Sequence, residues 1–308
     1  MICRPKDGDC KVLVVGGPTA SGKSGLALAM AETRDGVIIN ADSMQVYGGL
    51  PLLTAQPPQE DTAKVPHRLY GVLPPKDVCS AARWAGMALE EIHATRAKDK
   101  LPVIVGGTGF YIKTLLEGIS PIPDVPDSFR QEANALHKEL GTPAFYAALE
   151  KRDPATAAKL DRSNPQRLIR AWEVLAATGK GLAVWQAAPR VKPPGDIAFF
   201  TVTLLPPRET LYAACDGRFK KMLDAGALDE AKNFMKNETA GMALSKALGY
   251  PELKDYIAGK TTRADAIRLA QQSTRNYAKR QVTWFRNQIA ADMVLESADP
   301  GALLNKFS

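Results

Sequence analysis

Short, unbroken apolar runs recur along the chain at residues 11–16 (Lys-Val-Leu-Val-Val-Gly), 36–40 (Gly-Val-Ile-Ile-Asn), 102–106 (Pro-Val-Ile-Val-Gly), 197–204 and 293–295. They are continuous rather than alternating, which is the pattern of strands buried on both faces. Between them lie segments with helical patterning, from about 22 to 33, from 81 to 98, after 109 and after 207. Strands alternating with helices predict a parallel sheet covered on both faces.

The pattern breaks at 118–127, Gly-Ile-Ser-Pro-Ile-Pro-Asp-Val-Pro-Asp, where three prolines forbid a helix. Residues 128 to about 179 are Ala-rich and helical in character, with no strand signal, and close at Thr178-Gly179-Lys180-Gly181. A second Pro/Gly stretch, Pro189 to Gly195, precedes the return to strand character at 197. The predicted organisation is an α/β domain formed by 1–120 and 196–308, interrupted by a helical insertion over 121–195.

Composition narrows the class without changing this picture. The chain has 308 residues, 45% of them hydrophobic, which is ordinary globular usage and excludes a disordered chain. Cys3, Cys10, Cys79 and Cys215, with His67, His93 and His137, have neither disulfide-framework nor zinc-ligand spacing. A reducing cytoplasm is therefore expected. No apolar run approaches the ~18 residues of a membrane span. The net charge of +7 permits an anionic partner.

The first strand leads into Gly17-Pro18-Thr19-Ala20-Ser21-Gly22-Lys23-Ser24, the G-x-x-x-x-G-K-[ST] pattern in its proper place between a buried strand and a helix. Glycines let the backbone wrap an anion with amide N–H groups and the positive end of the helix. Lys23 adds a point charge, and the Ser24 hydroxyl is a magnesium ligand in such loops. A dinucleotide site is disfavoured, because no G-x-G-x-x-G follows the strand. The 102–106 strand ends in Gly106-Gly107-Thr108-Gly109, without the metal-binding acid an ATPase or GTPase places there. Instead Asp42 follows the 36–40 strand. Carboxyl ends of parallel strands converge, so Asp42, Lys23 and Thr108 are expected to face one crevice. Asp42 there is either a general base or a turn-capping acid; the residue alone leaves both open.

Residues 262–289 are predicted to form one long helix. Arg268, Arg275, Lys279 and Arg286 fall within ~20° of one common direction on it, and Ile267, Ala278, Phe285 and Ile289 form a neighbouring apolar stripe. With Arg280, this basic face suits a phosphate backbone.

Several segments together resemble the tRNA dimethylallyltransferase family: Gly17 to Ser24; Asn-Ala-Asp-Ser-Met-Gln-Val-Tyr at 40–47; Val-Gly-Gly-Thr-Gly-Phe-Tyr at 105–111; Asn-Pro-Gln-Arg-Leu-Ile-Arg-Ala at 164–171; Gly249-Tyr250; and Ala-Lys-Arg-Gln-Val-Thr-Trp-Phe-Arg at 278–286. They occur in the family's order over residues 11 to 290. The resemblance implies a P-loop NTPase-like fold that binds dimethylallyl diphosphate instead of a nucleotide. It implies transfer of the dimethylallyl group to the exocyclic amine of the adenosine 3′ of the tRNA anticodon, with diphosphate leaving and no ATP used.

Carried over by position, Asp42 is similar to the catalytic carboxylate, with Arg218 and Thr108 also at the reaction site. Thr19, Lys23 and Ser24 correspond to diphosphate and Mg2+ contacts, Arg218 to the arginine that clamps the leaving group. Asp42, Ser43, Met44, Gln45, Thr108 and Arg130, with Gln166, Arg167, Leu168, Ile169 and Arg170, match tRNA-contacting positions. The chain departs from the family at Gly48 and Gln56, where an arginine and a lysine are usual, and at His67-Arg68, where paired histidines are usual. No zinc-finger extension is present, which points to a bacterial-type enzyme, expected to be a monomer. A prenyltransferase acting on free adenine nucleotides, a kinase and a noncatalytic RNA-binding protein are the competing readings.

Overall fold

The computed structural model describes residues 10–304, so Cys3 lies outside the described residues. The contacts divide the chain into two units: Met1–Leu116 with Pro193–Ser308, and Glu117–Lys192. The helical unit begins four residues before, and ends three residues before, the bounds read from the proline-rich stretches.

The larger unit is built on six parallel strands: β1 (Cys10–Gly16), β2 (Gly36–Asn40), β3 (His67–Arg68), β4 (Leu101–Gly106), β5 (Ile197–Leu204) and β6 (Met293–Leu295). Their order is β3-β2-β4-β1-β5-β6. The two-residue β3 pairs with Ile38 and Ile39 of β2. Its shortness and polar sequence, His67-Arg68, hide it from a hydrophobic pattern. The chain crosses over in opposite directions from β1 and from β4, so their carboxyl ends flank the point where ligands bind in open α/β sheets.

Helices α1 (Lys23–Thr33), α2 (Pro51–Thr54), α3 (Gln59–Lys64), α4 (Ala81–Arg96) and α5 (Gly109–Glu117) belong to the first half. Leu26, Ala27 and Met30 of α1 pack on Leu13, Val15, Val103 and Val202 of the sheet. Trp84 of α4 is fully buried, stacks on Tyr111 of α5 at 4.8 Å, and donates its indole N–H to the Asn40 carbonyl oxygen at 2.8 Å.

The insertion forms a second unit with its own core. It contains α6 (Asp127–Arg152), α7 (Pro154–Ala157), α8 (Pro165–Thr178) and α9 (Leu182–Ala187). Phe145, Tyr146, Leu149, Leu168, Ala171 and Val174 are buried together. Gly141, at φ 72°, breaks α6 into two parts two residues before Pro143. Gly179, at φ 68°, closes α8 in the left-handed conformation that glycine adopts without a Cβ penalty. An antiparallel bridge between Ile119 and Val191 ties the ends of the unit together.

After β5 come α10 (Arg208–Asp224), α11 (Ala227–Met235), α12 (Tyr250–Ile257), α13 (Arg263–Gln288) and α14 (Pro300–Leu304). Ala266, Ala270, Thr274, Ala278, Gln281 and Phe285 form a continuous buried face along α13. No helix among the described residues is long and apolar enough to cross a membrane.

Candidate active site

The turn after β1 runs from Gly17 to Gly22, and α1 starts at Lys23. Ala20 (φ 62°) and Gly22 (φ 91°) both take left-handed backbone conformations, which curl the loop back on itself. A Cβ on Gly17 would stand 2.6 Å from the Leu204 carbonyl oxygen, so only glycine fits there beside β5. Lys23 Nζ donates to the Pro18 carbonyl oxygen at 3.1 Å across the loop. Ser21 is buried, and its hydroxyl oxygen has no hydrogen-bond partner among the described residues. Ser24 is exposed in the first turn of α1.

Thr19 has two partners from distant parts of the chain. Arg218 of α10 donates from its Nη1 to Thr19 Oγ1 at 2.6 Å. The Thr19 amide donates to Gln281 Oε1 at 2.8 Å. The Thr19 amide is thus engaged by α13, and its hydroxyl anchors Arg218 to the phosphate loop. The Gln281 side chain is buried and donates in turn to the Gly107 carbonyl oxygen at 2.8 Å. One amide thus joins the loop after β1 to the loop after β4.

Asp42 is set by its neighbours in the turn after β2. The buried Asn40 accepts the Asp42 N–H at 2.8 Å and donates to the Leu69 carbonyl at 3.0 Å. Asp42 Oδ1 accepts the Met44 N–H at 2.9 Å. Thr108 Oγ1 accepts the Ser43 N–H at 2.9 Å and donates to the Ser43 hydroxyl at 3.2 Å. Thr108 therefore fixes the Asp42–Ser43 turn. Gln45 Nε2 is bonded to the Thr54 and Ala55 carbonyl oxygens at 2.9 and 2.7 Å, so its amide donors hold the neighbouring loop. Gln56, one of the family departures, donates to the Tyr47 and Gln45 carbonyl oxygens, at 2.8 and 3.2 Å. Its amide is a structural tie in this chain.

Charge is concentrated in this crevice. Burial pushes Lys23 down from 10.5 to about 8; the Asp42 carboxylate opposes that shift, and the Arg218 guanidinium adds to it. Burial also lowers Arg218, again opposed by Asp42. Two cations and one carboxylate therefore sit within electrostatic range of each other in a low-dielectric site, where each is strongly responsive to an added anion. Burial and the Asp42 charge together raise Tyr70 and Tyr277, which stay neutral beside it.

A cavity of about 650 Å³ opens beside the phosphate loop. Leu28, Ile38, Pro51, Leu52, Pro57, Val105 and Met222 give it an apolar wall, while Arg218, Lys221 and Ser24 stand on it. It can accept an apolar chain next to an anion-binding turn.

Gln281 and Trp284 of α13 are the residues that sequence reasoning missed, and Phe285 was read only as part of an apolar stripe. Glycines on the loops above the sheet make room for them. A Cβ on Gly107 would lie 2.5 Å from Gln281 Nε2, one on Gly109 1.9 Å from Trp284 Nε1, and one on Gly16 2.5 Å from Phe285 Cε1. The Gly-Gly-Thr-Gly run is thus a docking surface for a helix as well as a phosphate-side turn. The pairing of these glycines with Gln-x-x-Trp-Phe was the available signal.

The basic stripe needs one correction. Lys279 and Arg280 are exposed on α13, with Arg280 over the Tyr277 ring at 5.6 Å. Arg275, however, is paired with Asp216 of α10, and Arg268 with Asp265 at 3.3 Å. Acids absent from the helix's central sequence are supplied by a neighbouring element and by the helix's own first turn.

In the helical unit, Arg130 and Arg170 share the buried Glu173 carboxylate at 3.2 and 2.7 Å. Gln166 and Arg167 are exposed, whereas Leu168 is fully buried in the unit's core. Leu168 is therefore a packing residue, corrected from an RNA-contacting one, because helical periodicity turns it inward between exposed neighbours. Ile169 is half-buried beside it.

The model of the family described as IPP transferase matches residues 45–288. The chain is 52% identical to a tRNA dimethylallyltransferase of Rhodospirillum centenum, over 94% of this chain and 92% of that one. It is 51% identical to one of Paramagnetospirillum magneticum, over 91% and 89%. Among solved structures, the full-length tRNA isopentenylpyrophosphate transferase of Bacillus halodurans aligns with a TM-score of 0.68 at 30% identity, over 96% of this chain and 94% of that one. A eukaryotic dimethylallyltransferase acting on tRNA aligns with a TM-score of 0.79 at 26% identity, over 96% and 76%. A family match over most of the chain, on a parallel sheet with this phosphate loop, has one reading: the chain belongs to the IPP transferase family.

Proposed function

We propose that the chain transfers a dimethylallyl group from dimethylallyl diphosphate to the exocyclic N6 amine of the adenosine 3′ of the tRNA anticodon, releasing diphosphate. The observation that carries this reading is the apolar cavity of about 650 Å³ beside the phosphate loop, with Arg218 on its wall. Its apolar wall suits a five-carbon tail joined to a diphosphate held at the loop. The activities named for the relatives above support the same reading.

In this reading the diphosphate lies against the loop amides, Lys23 and Arg218, and the isoprenoid tail lies along Leu28, Leu52 and Met222. The bond between the first tail carbon and its phosphate oxygen breaks as the adenine nitrogen bonds to that carbon. Charge grows on the leaving diphosphate, where a preplaced arginine and lysine stabilise it. Asp42 accepts the amine proton through Oδ2, the oxygen that Met44 does not hold. Thr108 keeps the Asp42–Ser43 turn in place.

The fit for magnesium is narrow. Ser24 offers one exposed hydroxyl, and among the described residues no group of three His, Cys, Asp or Glu side chains could hold a metal. That donor set suits Mg2+ held chiefly by diphosphate oxygens, with Ser24 its ligand from the chain. It would neutralise phosphate charge.

Exposed Lys279 and Arg280 on α13, and Arg130 and Arg170 in the helical unit, whose two guanidiniums share the single Glu173 carboxylate and so keep a net positive charge, supply cations for an RNA backbone. An acceptor as small as a free adenine nucleotide requires neither set. The test is mass analysis of tRNA nucleosides from cells lacking this protein and from the same cells regaining it. Prenylated adenosine that disappears and returns supports the reading. An unchanged nucleoside profile contradicts it.

A further inference from the structure

The reaction as proposed uses Arg218 but says nothing of what aims it. Arg218 is long and bears its charge at the end of a flexible stem, so its value for a leaving group depends on being held before the charge develops. Its one hydrogen bond to the phosphate loop runs from Nη1 to Thr19 Oγ1 at 2.6 Å. Thr19 stands two residues past Gly17, in a loop whose curvature depends on left-handed residues and which has no helix or strand ladder of its own. Lys23 Nζ and the Ser21 N–H bond to the Pro18 carbonyl oxygen within the loop, and Gln281, 262 residues away, ties Thr19 itself by accepting its N–H at 2.8 Å. The other end of the same amide donates to the Gly107 carbonyl oxygen at 2.8 Å.

Both halves of the Gln281 amide are thus used, in a side chain only 6% exposed. The position is tight: a methyl on Gly107 would stand 2.5 Å from Gln281 Nε2. An amide is the side chain that both accepts and donates at this reach without a net charge. A carboxylate accepts only, and an apolar residue would leave a buried N–H and a buried C=O unpaired.

We infer that Gln281 is a positioning residue of the transfer reaction: through the Thr19 amide it holds the hydroxyl that anchors Arg218, and through Gly107 it ties that anchor to the loop carrying Thr108. It touches neither substrate in this account. The inference rests on the proposed diphosphate role of Arg218, and Gln281 has no role beyond packing if that guanidinium is aimed by other contacts.

The test compares Gln281→Met in the parent and in Arg218→Ala. Two quantities are read: binding of inorganic diphosphate without tRNA, by calorimetry, and single-turnover transfer to tRNA. If Gln281 acts through Arg218, Gln281→Met weakens diphosphate binding about 10-fold and slows transfer about 10- to 100-fold in the parent. In the Arg218→Ala background the same change costs less than about 3-fold in either quantity. Equal losses in the two backgrounds, or parental behaviour of Gln281→Met, overturn the inference, since a general loosening of the fold would act regardless of Arg218. Should Gln281→Met not fold, Gln281→Glu carries the comparison, because it keeps an acceptor for the Thr19 N–H and loses the donor to Gly107. Its losses must likewise shrink when Arg218 is absent, and equal losses overturn the inference. A parent that binds diphosphate but transfers nothing contradicts the proposed function and leaves the inference standing on the binding arm. A parent that binds no diphosphate contradicts both.

Discussion

Asp42 Oδ1 accepts the Met44 N–H at 2.9 Å, and the other carboxylate oxygen accepts no hydrogen bond among the described residues. Asp42 is therefore both a turn-capping acid and a site acid, one oxygen for each task. Asp42→Asn separates the two, because an amide oxygen still caps the turn but the side chain no longer accepts a proton. The variant is expected to fold normally, to bind tRNA within a few-fold of the parent, and to slow the chemical step by about 10²–10⁴. Single-turnover transfer with enzyme in excess, beside a tRNA binding isotherm, measures both. Transfer at the parental rate would confine Asp42 to the turn.

Lys23 titrates at about 8 in the free protein, because burial disfavours its charged form. The sign follows directly. Below pH 8 the ammonium is present and binds diphosphate; above it the neutral amine does not, and binding must take up a proton. Diphosphate affinity, measured by calorimetry from pH 6.5 to 9.5, should fall relative to Lys23→Ala by up to about tenfold per unit above pH 8. Two parallel profiles would show that Lys23 does not meet the anion.

Trp284 packs against the start of α5 only because residue 109 is a glycine. Gly109→Ala places a methyl 1.9 Å from the indole nitrogen. We expect a loss of about 1–3 kcal/mol in stability, as in overpacked cores, read from a denaturant midpoint. Parental stability would mean that α13 shifts freely over this loop.

Much of this was legible in sequence, and the limits have physical causes. The strands other than β3, the phosphate loop and the Asp42 turn are local patterns in which neighbours in sequence are neighbours in space. The long α13 helix and its buried face also follow from period alone. Periodicity did not reveal what the buried face carries. Gln281, among the exposed cations Lys279 and Arg280, reads as one more polar residue until Thr19 and Gly107 are brought to it. The Arg275–Asp216 pair was hidden for the same reason, as its partners are 59 residues apart. Leu168 went wrong because a family motif is contiguous while a helix face is not.

The ion pairs on α13 make a prediction about salt. If tRNA lies on this helix, Lys279→Ala with Arg280→Ala should lower the slope of log affinity against log salt by roughly 0.7–0.9 for each phosphate contact removed. Arg275→Ala should change the slope little, since its guanidinium is matched by Asp216. Filter binding of tRNA over a salt series distinguishes these. A drop in slope for Arg275→Ala alone would mean that RNA displaces Asp216 from it.

The central claim is that this chain joins an isoprenoid held at the phosphate loop to an adenine presented by tRNA. Purified protein, magnesium and labelled dimethylallyl diphosphate can be offered unmodified tRNA or adenosine monophosphate at equal concentration, without ATP. The account predicts label in tRNA, on the adenosine 3′ of the anticodon, with one diphosphate released per transfer and adenosine monophosphate left unlabelled. Label in the free nucleotide with none in tRNA, or transfer that requires ATP, would contradict it.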